Sequence, residues 1–286
     1  MSKRHHSDYD EVTTARCERA LVTILGDIGP WGERVYLAGG LAPRYIVGSP
    51  PEGARPHVGT TDLDLVIGLA VGDESPGAYR TLENNLRKAG FKDETSFRWT
   101  KQVDDVTVMV EFMCETDQVE PGKIYKPKEG TGSGLGAFNV RGAQLVTRDF
   151  MEVEIEAQRL DHGGRSRVTV RVANILSYTV LKILAFQDRH ENKDSYDLVY
   201  CLLNLNDGPE DAGRAAGASA IRDDAQVADA LRLLAERFVD VGQDGPHAYA
   251  RFLAHAGDDE EAARLRQEAV AVVRGFLGAM AGGRPA

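Results

Sequence analysis

The chain has 286 residues, enough for one large or two small domains each with its own core, and its 42% apolar and 27% charged content fits neither a disordered chain nor a membrane-embedded one. A formal net charge of -10 argues against sequence-independent nucleic-acid binding over a broad face, which needs concentrated Lys and Arg, but leaves room for a local basic cleft. The densest basic stretches are Lys123, Lys126, Lys128, Arg141 and Arg148, then Arg165, Arg167 and Arg171. Cys17, Cys114 and Cys201 are widely spaced and odd in number, which fits reduced thiols better than a disulfide framework or a zinc site. The polar start from Met1 to Glu11, and the lack of any run near ~18 apolar residues, give the expectation of a cytoplasmic protein with no membrane partner.

In chain order, Asp8 to Ile28 has helical periodicity and Arg34 to Ala38 reads as a short strand ending in Gly39-Gly40. Leu41 to Val47 suits a short helix, the Pro/Gly-rich stretch from Gly48 to Gly59 is a long loop, and Asp62 to Leu69 is a strand. Tyr79 to Ala89 is a helix stopped by Gly90, and Val106 to Met113 alternates like a half-buried strand. Gly130 to Gly136 is a glycine-rich loop. Met151 to Glu156 and Arg167 to Val172, separated by Asp161-His162-Gly163-Gly164, suggest a hairpin. Beyond Ala173 the pattern turns helical: Ala173 to Gln187, Ser195 to Leu205, Gln226 to Val239 and Glu260 to Met280, with a connector from Asn206 to Ala220 and a loose tail from Gly282 to Ala286. The expected class is therefore α+β, a mixed sheet with flanking helices over residues 1–172 followed by a helical domain over 173–286.

Three features could carry chemistry. Asp62 and Asp64 are two apart on a strand, so both side chains leave one face and can offer oxygen ligands to a hard cation; a solvated strand end is the alternative. Gly39-Gly40, between a strand and a helix, lets backbone approach a phosphate, although most such pairs are tight turns. On the strand from Val106, one face carries Val106, Val108, Val110 and Phe112, and the other carries Glu111. If this strand lies beside Asp62-Leu63-Asp64, Glu111 can be a third carboxylate that ligates metal and helps remove a proton from an attacking hydroxyl; otherwise it is an exposed glutamate. Asp104 and Asp105 precede that strand and suit a turn.

Leu-Ala-Gly39-Gly40-Leu-Ala, then Thr60-Thr61-Asp62-Leu-Asp64-Leu-Val, then the strand Glu111, resembles the nucleotidyltransferase-fold superfamily related to polymerase beta. Lys182 to Arg189, followed by Lys193-Asp194-Ser-Tyr-Asp197, resembles the signature of the AbiEii/AbiGii-like abortive-infection toxins of toxin-antitoxin and phage-defence pairs. The likeness covers about residues 35 to 205. It implies a polymerase-beta-like sheet and a nucleoside triphosphate substrate with Mg²⁺, or Mn²⁺ in its place, held by Asp62, Asp64 and Glu111. It further implies that Lys182 holds the triphosphate, with Arg189 and Asp194 beside it, and that Asp197 supports that lysine or the acceptor's approach. Lys182 and Arg189 are seven apart and share a helix face away from Leu176, Val180 and Leu184, while Asp194 and Asp197 share a face of the next helix. Placement of Asp194 in a first helical turn and an i,i+4 pair of Lys193 with Asp197 would explain the two acids equally well. Many superfamily members carry Gly-Ser where this chain has Gly39-Gly40, so a phosphate-contacting hydroxyl is either missing or supplied by Thr60 or Thr61. The expected reaction moves a nucleoside monophosphate to an acceptor hydroxyl, with tRNA 3′ ends as acceptor and a cognate antitoxin protein as partner. The alternatives are nucleotidylation of a small antibiotic, and a catalytically silent nucleotide-binding protein whose C-terminal helices serve a partner.

Overall fold

The structure, a computed structural model, describes residues 5–26, 28–67, 76–127, 133–161 and 164–282. Lys128, Gly130, His162, Gly163, Leu69 and the tail beyond Gly282, all named above, lie outside the described residues.

After a single 3-10 turn at His6–Asp8, α1 (Glu11–Leu25) begins where the Asp10 carboxylate accepts a bond from the Thr13 N–H, a side-chain cap that satisfies one of the orphan donors of the first turn. The predicted helix from Asp8 is thus shortened at both ends. There follow β1 (Val35–Leu37), α2 (Pro43–Val47), β2 (Asp62–Ile67) and α3 (Pro76–Lys88). Next come β3 (Lys92–Asp93), β4 (Arg98–Val103), β5 (Val106–Cys114), β6 (Ile124–Tyr125), β7 (Ala137–Asn139) and α4 (Ala143–Val146). The hairpin of β8 (Phe150–Gln158) and β9 (Arg165–Ala173) leads into the helices α5 (Ile175–Arg189), α6 (Asn192–Asn204), α7 (Pro209–Gly217), α8 (Ala225–Arg237), α9 (Asp244–Leu253) and α10 (Asp259–Gly282).

The chain forms two compact units. One comprises Asp10–Ala42 and Gly59–Ala173 and contains the sheet; the other joins the residues up to Tyr9 and Pro43–Val58 to everything from Asn174 onward. The helical unit therefore draws two segments from the part of the chain that the sequence divided off as residues 1–172.

In the sheet unit the strand order is β3-β4-β5-β2-β1-β9-β8, with β7 also on β5 and β6 on β7. The sheet is mixed: β1 runs antiparallel to β2 and parallel to β9, β2 is parallel to β5, and β4–β5 and β8–β9 are antiparallel hairpins. Asp104 and Asp105 form the tight turn of the β4–β5 hairpin, Asp104 with φ of 55°. Along β2 and β5 burial follows the period of two: Leu63, Leu65, Val108, Val110 and Phe112 are buried, whereas Asp62, Asp64, Met109 and Glu111 are half-buried. α1 lies across the sheet in contact with β2, β5, β8 and β9 and buries Cys17, Leu21, Ile24 and Leu25.

In the helical unit α6 is central, in contact with α2, α5, α7, α9 and α10. The stretch from Asn206 to Ala220, expected as a connector, is a correction: it holds α7. Pro209 occupies its first turn, where no backbone donor is needed, and Gly213 lets α7 approach α10 so closely that a Cβ there would collide with the Phe276 carbonyl.

Candidate functional site

The strand β2 carries Asp62 and Asp64 on one face, and its parallel pairing with β5 sets Asp62 opposite Met109 and Asp64 opposite Glu111. Paired residues point to the same side of a sheet, so both aspartates and Glu111 share the face opposite the buried Leu63 and Val110. The next strand continues the row, since Arg98 on β4 pairs with Glu111 on β5. Asp64, Glu111 and Arg98 therefore form a row across three strands, with Asp62 two positions before Asp64 on the same face.

The glycine turn belongs to the same place. Gly39 adopts φ of 35°, and a Cβ there would overlap the carboxylate of Asp64, so only glycine permits this approach of turn to side chain. Below it, the Ala38 N–H donates to the Asp64 carbonyl at 3.1 Å, which continues the β1–β2 ladder into the turn. Asp62 is held from the other side, because the Thr60 hydroxyl donates to its Oδ1 at 2.8 Å and to its backbone carbonyl at 3.0 Å. Thr60 is itself buried, and its N–H donates to the Thr14 hydroxyl of α1 at 3.1 Å. The Thr60 hydroxyl thus orients an aspartate here. Thr61 stands half-buried between them, and Gly40 is buried behind Gly39.

Hard carboxylate oxygens are the donors that Mg²⁺ prefers, and Asp62 and Asp64 fit that ion by chemistry and by common face. Glu111 is otherwise engaged: its Oε1 accepts from Arg98 Nε at 2.6 Å, a short charge-assisted bond between partly exposed groups. Among the described residues no three His, Cys, Asp or Glu side chains are grouped so as to hold a metal. Asp62 and Asp64 thus share a face, and the third carboxylate is adjacent but paired with an arginine.

The other sequence-predicted residues come together inside the helical unit. Lys182 of α5 donates from Nζ to Asp194 Oδ1 at 3.2 Å and Asp197 Oδ2 at 2.8 Å. Arg189 forks onto both oxygens of Asp194 at 2.7 Å each, and Lys193 reaches both oxygens of Asp197 at 2.7 and 2.8 Å. Asp194 and Asp197 are almost fully buried and Lys182 is 6% exposed. Burial works against the charge of Lys182, but Asp197 and Asp194 outweigh it and hold the ammonium well above its usual value. Burial would likewise raise both aspartates, yet Lys182, then Lys193 for Asp197 and Arg189 for Asp194, hold them below the ordinary carboxylate range, Asp197 well below it. The spacing on the two helices brings these groups together as the i,i+4 and adjacent-helix geometry requires.

One member of the cluster has no sequence signal. His57, from the long Gly48–Gly59 loop, places Nε2 2.9 Å from Asp197 Oδ1. Its ring stacks on Tyr196 at 5.3 Å and meets Tyr200 edge-on at 4.9 Å, and the next N–H, of Val58, donates to the Tyr196 hydroxyl at 3.2 Å. Burial lowers the imidazole to a pKa of about 4 despite the carboxylate, so it is neutral at pH 7 and Nε2–H is the donor. His57 and Asp197 are 140 residues apart, and no local pattern links them.

Comparison of the chain with protein-family models, with curated proteins and with solved structures finds no match.

Proposed function

We propose that the protein is a divalent-metal-dependent nucleotidyltransferase, moving a nucleoside monophosphate from a triphosphate to an acceptor hydroxyl, with a tRNA 3′ end as the acceptor. One observation carries the reading: Asp62 and Asp64 share a strand face with Glu111 in register beside them, while the Gly39 turn touches the Asp64 carboxylate. In the proposed reaction the acceptor oxygen bonds to the α-phosphorus, the bond to the β-phosphate bridging oxygen breaks, and pyrophosphate leaves with that electron pair. Mg²⁺ bound at Asp62 and Asp64 would supply charge neutralisation at the phosphoryl group. Thr60 fixes the Asp62 carboxylate, and the missing side chain at Gly39 makes room for the Asp64 carboxylate against the turn. Glu111, once released from Arg98, would accept the proton of the acceptor hydroxyl, and the freed guanidinium would remain beside the developing negative charge.

The Arg98–Glu111 pair also favours a second reading, in which the site binds nucleotide without turning it over. The decisive experiment follows α-³²P from each of the four ribonucleoside triphosphates onto total tRNA in the presence of Mg²⁺, for wild type and Asp64→Ala. Label on tRNA with wild type alone supports transfer. Protection of the protein from heat by a triphosphate, with no label on any acceptor, supports the silent site.

A further inference from the structure

Arginine in this acidic chain is mostly paired. Arg16, Arg98, Arg159 and Arg237 all meet carboxylates, as do the arginines of the β8–β9 hairpin. The last two helices depart from that rule. Among the described residues, Arg251 of α9 and Arg264, Arg266 and Arg274 of α10 make no hydrogen bond or ion pair. Two of the four, Arg251 and Arg266, line a recess of about 280 Å³ at the corner between α9 and α10.

The sequence explains the recess. On α9, His247 lies three and four residues before Ala250 and Arg251, and the cap residue Ala254 three after Arg251, so they share a face; on α10, Asp259, Ala262 and Arg266 follow at spacings of three and four and do the same. Where these faces meet, alanine and the Gly257 corner leave a floor too small to fill the space, and the long side chains stand around it. His247 is half-buried, and its ring likewise has no partner among the described residues. The acids at the rim are partly committed: Asp258 Oδ1 accepts the Glu261 N–H at 2.8 Å as the cap of α10, and the neighbouring His255 is held by Glu261 at 2.9 Å. Asp259 is the remaining rim carboxylate, at the end of the recess that begins α10.

We propose that this recess binds a phosphate group, gripped by the forked guanidinium groups of Arg251 and Arg266 with His247 as a third donor. Guanidinium matches phosphate oxygens two at a time, and a volume at the lower end for ligand pockets suits one phosphate with its sugar rather than a whole triphosphate nucleotide. The phosphate belongs either to a nucleoside monophosphate or to one residue of a polynucleotide. A local site of this kind is how a protein with net charge of -10 can hold nucleic acid without a broad basic face. The inference does not rest on the transfer reaction, since it is read by binding alone.

The test measures, on the full chain, anisotropy of a short fluorescein-labelled single-stranded RNA and its competition by AMP and inorganic phosphate; thermal protection by AMP serves if the RNA does not bind. Expected is binding by wild type, a loss of at least about tenfold in Arg251→Ala/Arg266→Ala, and a salt slope smaller by about 1.4, two phosphate contacts at about 0.7 each. Arg264→Ala/Arg274→Ala, which removes equal charge from exposed positions outside the recess, is expected to stay within about twofold of wild type in tenfold-separated assays. Arg251→Gln/Arg266→Gln repeats the test where the alanine pair does not fold. RNA bound through the recess identifies a polynucleotide, whereas AMP bound without RNA identifies a nucleotide, and both support the site. Wild-type affinity in the recess variants, equal loss in the control variant, or no binding of either ligand by wild type overturns it.

Discussion

The two units each gather carboxylates and cations, and they treat them in opposite ways. In the sheet unit Asp62 and Asp64 are half-buried, spaced by the strand, and steadied by a hydroxyl and a glycine turn. In the helical unit Asp194 and Asp197 are sealed from water and surrounded by Lys182, Arg189, Lys193 and His57. The first arrangement leaves its aspartates half-buried at a sheet face. The second already satisfies its charges, and any ligand recruiting Lys182 must compete with two ionised aspartates in a low-dielectric interior.

The largest expected effect falls on the open pair. On the proposed reaction, Asp64→Ala would lower transfer by about 10³-fold or more, because it would remove carboxylate charge from the proposed metal site, while circular dichroism and the melting temperature stay close to wild type. The sealed cluster reverses that pattern. Asp197→Ala leaves the buried Lys182 with only Asp194, which Arg189 already shares, strips Lys193 and His57 of their carboxylate, and costs about 3–5 kcal/mol in urea unfolding at pH 7. An Asp197→Ala protein as stable as wild type would show that the cluster is not the closed network described here.

The third prediction concerns acid. His57 has its pKa lowered from 6.5 to about 4 in the folded protein, so between those values the unfolded chain binds the extra proton and the folded one does not. Folding stability present above pH 6.5 is thus lost as the pH falls toward 4, by on the order of 3 kcal/mol from this residue. Asp197 and Asp194, both depressed, continue the loss at lower pH. A pH series of urea midpoints for wild type and His57→Asn checks it: the variant is expected to be less stable at pH 7 but flatter from pH 6.5 to 4, and an unchanged slope would refute the assignment. The smallest effect is at α1, where Asp10→Ala removes the cap on the Thr13 N–H and costs about 1 kcal/mol without altering transfer.

What could be read in the sequence was what local periodicity encodes. β2, β5 and the β8–β9 hairpin alternate plainly, and Asp62, Asp64 and Glu111 take their common face from that alternation. β4 escaped because Arg98-Trp-Thr-Lys-Gln-Val is polar for a strand in a sheet interior; its Lys101 reaches backbone carbonyls of Ala89 and Leu160 at 2.6 and 3.2 Å instead of water. α7 and α9 hold Pro209, Gly213, Gly245 and Pro246, residues that break helical periodicity along the chain, whereas here the prolines lie in first turns and the glycines give room for Phe276 and Phe238. The Arg98 partner of Glu111 and the His57 partner of Asp197 are set by pairing across strands and across the helical unit, which no window along the chain contains.

The helical unit also fixes an order of events during synthesis. His5 Nε2 lies 3.0 Å from the Ala254 carbonyl and His6 Nδ1 3.3 Å from that of Phe252, contacts separated by 249 and 246 residues. Translated well before α9, this arm finds its docking surface only after α9 has left the ribosome. The sheet unit, whose last strand ends at Ala173, can meanwhile gather its own contacts. Closing so long a loop costs entropy that only a completed α6–α9–α10 core repays.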